Sequence, residues 1–229
     1  MNVLITGASN GIGEGLLKAY IDMGYHVYNF DYKEPIYKHD HAHYIKCDLA
    51  DEQAINETYG NLPNIDLLII NAATFDQKDF FSQSLKDIKH IVAVNLFSAI
   101  QLAQLYSKQY VGHTGRIVLL SSTRAYMSEK NTIGYSVSKG GITSLTHSLA
   151  MTLQDKHITV NAIAPGWINS HHDDLREVDH QFHPSKRVGI IEDVVRTCLF
   201  LTDEHASFIN GEVITVDGGV TKKMIYPED

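Results

Sequence analysis

Residues 3–13 read Val3-Leu4-Ile5-Thr6-Gly7-Ala8-Ser9-Asn10-Gly11-Ile12-Gly13, and the rest of the chain has to be arranged around them. Val3 to Thr6 is a short apolar run, the pattern of a strand buried on both faces. The glycines that follow mark a turn. Glu14 to Met23 is then a helix ended by Gly24, and His26 to Phe30 is a second strand closing on Asp31. Strand, glycine turn, helix and strand in succession make a βαβ unit, which implies a parallel sheet. Residues without a Cβ let the backbone approach a pyrophosphate, whose charge then sits at the helix N-terminus. A glycine-rich turn alone is a weak signal. Between a strand and a helix, with an acid closing the second strand, it points to a dinucleotide site. Gly7, Ser9, Asn10, Gly11, Ile12 and Gly13 are the expected cradle.

The acid selects the cofactor. A carboxylate at Asp31 can accept hydrogen bonds from the adenosine ribose hydroxyls and would repel a 2′-phosphate, so NAD is expected over NADP. Lys33 is a nearby cation that could soften the preference. The link from strand two to the next strand, His43 to Lys46, contains Pro35 and many charges, which argues against a connecting helix. Cys47-Asp48-Leu49 follows. Asp48 is placed either to bond near the adenine, beside Leu49, or to cap a helix running through Glu57, and both roles are compatible.

Further along, Asp66 to Ile70 reads as another strand buried on both faces, ending in Asn71-Ala72-Ala73 where cofactors bind in open α/β sheets. Leu85 to Gln109 is a long helix carrying Asn95 among apolar neighbours. Asn95 either bonds within the core or holds a water in a proton relay. Ile117 to Leu120 is a strand breaking at Ser121-Ser122, and a polar loop then leads into a helix that opens with Tyr135 and runs to about Asp155. Tyr135 and Lys139, one turn apart, share a helix face. If the loop folds back, Ser122 joins them: a hydroxyl, a phenol and a cation suited to moving a proton at a carbonyl or alcohol oxygen. Tyr126 and Lys130 have the same spacing, but Asn131 and Gly134 make their surroundings a loop, which leaves Tyr126 as a pocket wall. The strand Ile158 to Ala164 ends in Pro165-Gly166-Trp167-Ile168. Residues 169–187 are polar and histidine-rich and read as a substrate loop, followed by a helix at Ile191 to Leu201 and a last strand at Glu212 to Val216.

Composition bounds the partners. The chain has 229 residues, 44% of them hydrophobic, and a net charge of −8. That is enough for one large core, so a single domain over residues 1–229 is expected. The acidic balance makes nucleic acid an unexpected partner. No uninterrupted apolar run reaches the length of a membrane span, and strand residues at the start leave no room for a signal peptide, so a cytoplasmic location is expected. Cys47 and Cys198 read as free buried thiols. The histidines at 39, 41 and 43 look like a solvated edge, and no metal is expected there or at His171-His172-Asp173-Asp174.

Taken together, the motifs resemble the short-chain dehydrogenase/reductase family over essentially the whole chain. Its glycine motif is matched by Thr6 to Gly13, its strand-end motif by Asn71-Ala72-Ala73, and its helix asparagine by Asn95. Ser122, the pair Tyr135/Lys139 and the turn Pro165-Gly166 match the rest. The departures are Ala73 for a usual glycine and Ser170 where threonine often holds the carboxamide. The resemblance implies an α/β fold, a single doubly wound Rossmann domain with a seven-stranded parallel sheet flanked by helices. It implies Tyr135 as general acid/base, Lys139 lowering its pKa and holding ribose hydroxyls, Ser122 orienting substrate and Asn95 supporting a relay. It also implies Ile168 and Ser170 at the cofactor and a homodimer or homotetramer formed through the two long helices. The expected activity is NAD-dependent interconversion of a secondary alcohol and a ketone on a small substrate. Arg124, beside Ser122, either clamps a substrate carboxylate or pairs with a surface acid. Tyr126, Trp167 and His171 or His172 are candidate pocket walls. The missing connecting helix resembles members acting on carboxylated cyclic diols. An NADPH-dependent 3-oxoacyl reductase is the alternative, which Asp31 opposes. A non-catalytic NAD-binding redox sensor would be expected to lose Tyr135, Lys139 or Ser122, and all three are present.

Overall fold

Seven short strands pair side by side, every pair parallel, in a computed structural model that describes residues 1–112, 114–171 and 173–224. In chain order the elements are β1 (Asn2–Thr6), α1 (Gly11–Asp22), β2 (His26–Asp31), β3 (Ala42–Lys46), α2 (Glu52–Gly60), β4 (Leu67–Ile70), α3 (Leu85–Val92), α4 (Ser98–Gln109), β5 (Gly115–Leu120), α5 (Ile133–Thr152), β6 (Ile158–Pro165), α6 (Glu177–Gln181), α7 (Ile191–Thr202) and β7 (Val213–Val216). The spatial order is β3-β2-β1-β4-β5-β6-β7, the doubly wound Rossmann arrangement. Strand order reverses between β1 and β4, and the crevice outside their carboxyl ends is where ligands bind in such sheets.

The strand sequences explain the two layers. In β4, Leu67 and Ile69 face one side with Val3, Ile5, Leu16, Tyr20, Val194 and Cys198. Leu68 and Ile70 face the other with Leu4, Ile55, Leu102, Tyr106 and Ile142. Both faces of the strand are covered by helices, so it must be apolar at every position rather than alternating. Each such fully buried side chain contributes about 1.5–3 kcal/mol. Cys47 and Cys198 are free thiols inside this packing.

Several boundaries differ from the sequence expectations, each for a local reason. Helix α1 begins at Gly11 rather than Glu14, drawing two of the turn's glycines into its first turn. The N-cap of α2 is Asp51, whose carboxylate accepts from the Gln53 and Ala54 N–H groups at 2.9 and 3.1 Å. Asp48 instead accepts from Ala50 N–H at 2.9 Å and does not cap the helix. Helix α5 stops at Thr152, followed by a tight turn over Gln154–Lys156. No helix forms between β2 and β3, as Pro35 and the charges there require.

The run Leu85–Gln109 is helical throughout but contains one wide π turn at Ala93–Phe97. By length and composition this 25-residue helix is apolar enough to cross a membrane, although no apolar run within it approaches that length. Its stripe of Ile91, Ala99, Leu102, Ala103 and Tyr106 is buried against the protein's own core.

At the β2–β3 edge, the His26 and His41 rings lie tilted with centroids 4.3 Å apart, and His26 Nδ1 lies 3.1 Å from His43 Nε2. Burial, with His26 and His41 beside it, lowers the His43 pKa. Among the described residues no group of three or more His, Cys, Asp or Glu stands close enough to hold a metal ion.

Candidate active site

The glycine turn is held open by side chains behind it. Thr6 is fully buried, and its hydroxyl accepts from the N–H groups of Asn71 and Ala72 at 3.1 and 3.0 Å, tying the end of β1 to the end of β4. Asn71 returns the tie by donating its amide to the carbonyls of Thr6 and Gly7. Gly7 has φ +69°, and a Cβ there would lie 2.8 Å from Ala72 Cα. A Cβ on Gly13 would lie 2.1 Å from the Gly7 carbonyl oxygen. Only glycine fits either place. Asn10, at the N-cap of α1, makes no side-chain cap, so the helix's first amides stay available at the turn.

Above this turn opens a cleft of about 880 Å³, at the upper end of the ~300–1,000 Å³ range of ligand pockets. Its walls include Gly7, Asn10, Gly11, Ile12, Gly13, Asp31, Asp48, Leu49, Asn71, Ala72 and Ala73. On the far side stand Ser122, Tyr135, Lys139, Pro165, Gly166, Ile168, Ser170 and His171. Nearly every expected cofactor residue therefore converges on one cavity. Ser9 is the exception among them: it lies behind the wall, where its hydroxyl donates to the Lys33 carbonyl at 2.6 Å and accepts from Asn29 Nδ2 at 3.0 Å. Asp31 is fastened by accepting from the Ser9 and Lys33 N–H groups at 3.0 and 2.9 Å. Its charge is thus fixed at the rim. The residues present fit a dinucleotide: a glycine cradle that a Cβ would fill, open helix amides and a pinned carboxylate.

The groups expected to handle the proton come from the turn after β5 and from α5. Ser121, at the end of β5, donates to the Lys139 carbonyl or shares a bond with the Thr143 hydroxyl, both at 3.0 Å, which clamps the strand end to α5. Ser122 then enters a tight turn in which its hydroxyl accepts from Arg124 N–H at 3.2 Å. Burial pushes the Tyr135 phenol up, while a hydrogen bond with Ser122 and the nearby charge of Arg124 pull it back. Lys139 is 2% exposed, and burial lowers its pKa to about 8. Its ammonium donates to the Leu120 carbonyl at 2.6 Å and lies 5.6 Å from the Tyr135 ring centroid. The groups that pull the Tyr135 phenol down are thus Ser122 and Arg124, while the Lys139 ammonium is anchored to the strand end. A buried ammonium needs an acceptor, and the strand-end carbonyl supplies it.

For Asn95 the structure shows the first of its two readings, a bond within the core. It is 1% exposed, its Oδ1 accepts from Thr74 N–H at 2.7 Å, and its Nδ2 donates to the Thr74 carbonyl and the Ser138 hydroxyl. Both amide protons are spent tying the loop after β4 to α5, so its side chain stitches the core and is not in the cleft wall. Arg124 lies outside that wall too, yet beside it. Its guanidinium is 5.0 Å over the Phe75 ring and 6.0 Å from the Tyr135 ring, and Nη2 donates to Glu129 Oε1 at 2.7 Å. Tyr126 and Trp167 are about half exposed and do not line the cleft; Trp167 faces His183 instead, 6.1 Å between rings. His172 lies outside the described residues.

Several contributors were missed from sequence. Asn29 is 1% exposed, and its Oδ1 accepts from Ala8 N–H at 2.9 Å, fastening the glycine turn. A polar residue between the apolar side chains Val27, Tyr28 and Phe30 of β2 was the available signal. His90 and Val94 line the cleft from α3 and the π turn, and nothing local distinguishes them.

Comparison with known proteins agrees with this arrangement. A family model described as enoyl-(acyl carrier protein) reductase matches residues 7–221. An uncharacterized oxidoreductase of Thermotoga maritima is 34% identical, with 98% of this chain and 97% of the relative covered. The 3-oxoacyl-[acyl-carrier-protein] reductase of Aquifex aeolicus is 33% identical over 78% of this chain and 76% of its own. Among solved structures, a 4-hydroxyisoleucine dehydrogenase complexed with NADH and succinate superposes with a TM-score of 0.91 at 26% identity, covering 96% of this chain and 100% of that one.

Proposed function

Since the chain belongs to the short-chain dehydrogenase/reductase family, an oxidoreductase family, we propose that it is an NAD-dependent enzyme interconverting a secondary alcohol and a ketone on a small, carboxylated or cyclic substrate. The observation that carries this reading is the convergence of Ser122, Tyr135 and Lys139 on the same cleft as the glycine cradle. A nicotinamide cofactor, when bound, supplies or accepts the hydride. The protein's own residues do the rest. Tyr135 donates its phenolic proton to the carbonyl oxygen in reduction and takes the hydroxyl proton in oxidation. Ser122 holds that oxygen. Lys139, anchored to Leu120, keeps a positive charge under the site and holds ribose hydroxyls. Residues 169–187 are the substrate segment.

Asp31 supports NAD. Its carboxylate is fixed by two backbone amides, so it cannot swing aside for a 2′-phosphate. The neighbour bound to NADH is in line with this choice. The competing reading, an NADPH-dependent 3-oxoacyl reductase, is favoured by the Aquifex relative. Titration with NADH and NADPH separately, followed by thermal shift, separates the two. Tight NADH and weak NADPH binding is expected. Preference for NADPH would promote the reductase, and binding without turnover of any alcohol or ketone would favour the sensor. Buried free thiols suit a reducing cytoplasm, and exposed Phe97 and Val137 on the long helices suit self-association as a dimer or tetramer.

A further inference from the structure

Arg124 is built into the mouth of the site in a way that proton transfer alone does not require. Its backbone N–H is held by the Ser122 hydroxyl, so its position follows that of a group at the site. Its guanidinium stacks 5.0 Å over Phe75, and Phe75 meets Tyr135 edge-on at 5.3 Å between centroids. The stacked plane stands 6.0 Å from the Tyr135 ring. A guanidinium has five donors, and among the described residues its side chain donates through one nitrogen only, to Glu129. Glu129 is 63% exposed on its side chain, against 26% for Arg124. An ion pair with so solvated a partner is worth little and is readily exchanged.

Resting on the redox reading above, we propose that Arg124 is the substrate-anchoring residue, that the substrate is a short-chain hydroxy acid or the matching oxo acid, and that its carboxylate displaces Glu129 from the guanidinium. A planar fork left mostly undonated matches a carboxylate in bidentate geometry, with bonds of about 2.8 Å. The 6.0 Å between guanidinium and phenol ring leaves room for only a few bonds between that carboxylate and the reacting carbon. A neutral acyl thioester offers no anion at this place. Glu129 then acts as a counter-ion that competes with substrate.

The test is binding, because Arg124 also touches the tyrosine's electrostatics and rates would mix the two effects. The wild type, Arg124→Gln, Arg124→Lys and Glu129→Gln are titrated by thermal shift and calorimetry, with and without NADH. The probes are 2-hydroxybutyrate, 3-hydroxybutyrate and 4-hydroxypentanoate, each beside its neutral amide. At least one acid is expected to bind the wild type while its amide does not. Arg124→Gln should weaken that acid roughly 10- to 100-fold, with Arg124→Lys between. Glu129→Gln, on an exposed side chain that folding does not need, should tighten it several-fold. Equal binding of acid and amide, no acid binding at all, or unchanged affinity in both the Gln variants overturns the proposal. If NADH fails to bind while acid binding still depends on Arg124, the redox reading falls and the anion site stands. NADH binding with acid binding indifferent to Arg124 has the opposite meaning.

Discussion

The cofactor cradle and the mouth above Tyr135 open on the same edge of one sheet, yet they are made differently. The cradle is backbone: Gly7 and Gly13 at close approach, the open N-terminus of α1, and Asp31 pinned by two amides. The mouth is side chain: Arg124 on Phe75, Phe75 on Tyr135, Trp167 turned to His183, and much of it exposed. Backbone sites are determined by steric rules that few residues satisfy, so they admit one ligand shape. Side-chain sites can be rewritten one residue at a time. Between them lies the Ser122–Tyr135–Lys139 group, held by Ser121 and the Leu120 carbonyl.

The strongest way to separate cradle from chemistry is Tyr135→Phe. Turnover should fall by roughly 10²–10⁴-fold while NADH affinity changes little. Strong residual activity would take the proton role away from this side chain.

Lys139 belongs to both regions and can be followed by pH. Its folded pKa is about 8 against an ordinary 10.5, so between those values the unfolded chain binds more protons than the folded one. Stability of the wild type relative to Lys139→Met should therefore rise from pH 8 to pH 10.5, by about 3 kcal/mol at most. A flat difference in chemical denaturation across that window would mean the ammonium is not buried as described.

Gly13→Ala attacks the cradle alone. The added methyl meets the Gly7 carbonyl, so a loss of about 1–3 kcal/mol in stability and weakened dinucleotide binding are expected. Normal NADH affinity in a variant of unchanged melting temperature would show that the turn has slack. Asp31→Ala gives the smallest effect, roughly a tenfold loss of NADH over NADPH discrimination, or about 1.4 kcal/mol. Unchanged discrimination would point to Lys33, or to Lys46 over the Tyr32 ring, as the deciding charge.

These contrasts follow what was readable in advance. Gly7, Gly13, Asp31, Tyr135 and Lys139 could be found because glycine turns, strand ends and one-turn helix spacing are local rules. The missing helix after β2 was readable from Pro35 for the same reason. Asp48 and Asp51 show the limit: both are acids before one helix, and only the chain's path decides which of them caps it. Asn95 shows another. A buried amide must bond, but whether to water or to Thr74 and Ser138 depends on elements far apart in sequence.

By itself the sequence determined the parallel α/β sheet, the place of the glycine cradle and that of the Tyr135/Lys139 pair, because periodicity and turn chemistry act over a few residues. Only the tertiary structure decided where charges point: Lys139 to the Leu120 carbonyl, Asp31 to the amides of Ser9 and Lys33, Arg124 across Phe75 toward Tyr135. A buried or stacked charge takes the partner that packing brings within about 3 Å to 6 Å. That partner is set by the crossing of strands and helices, which no stretch of sequence contains.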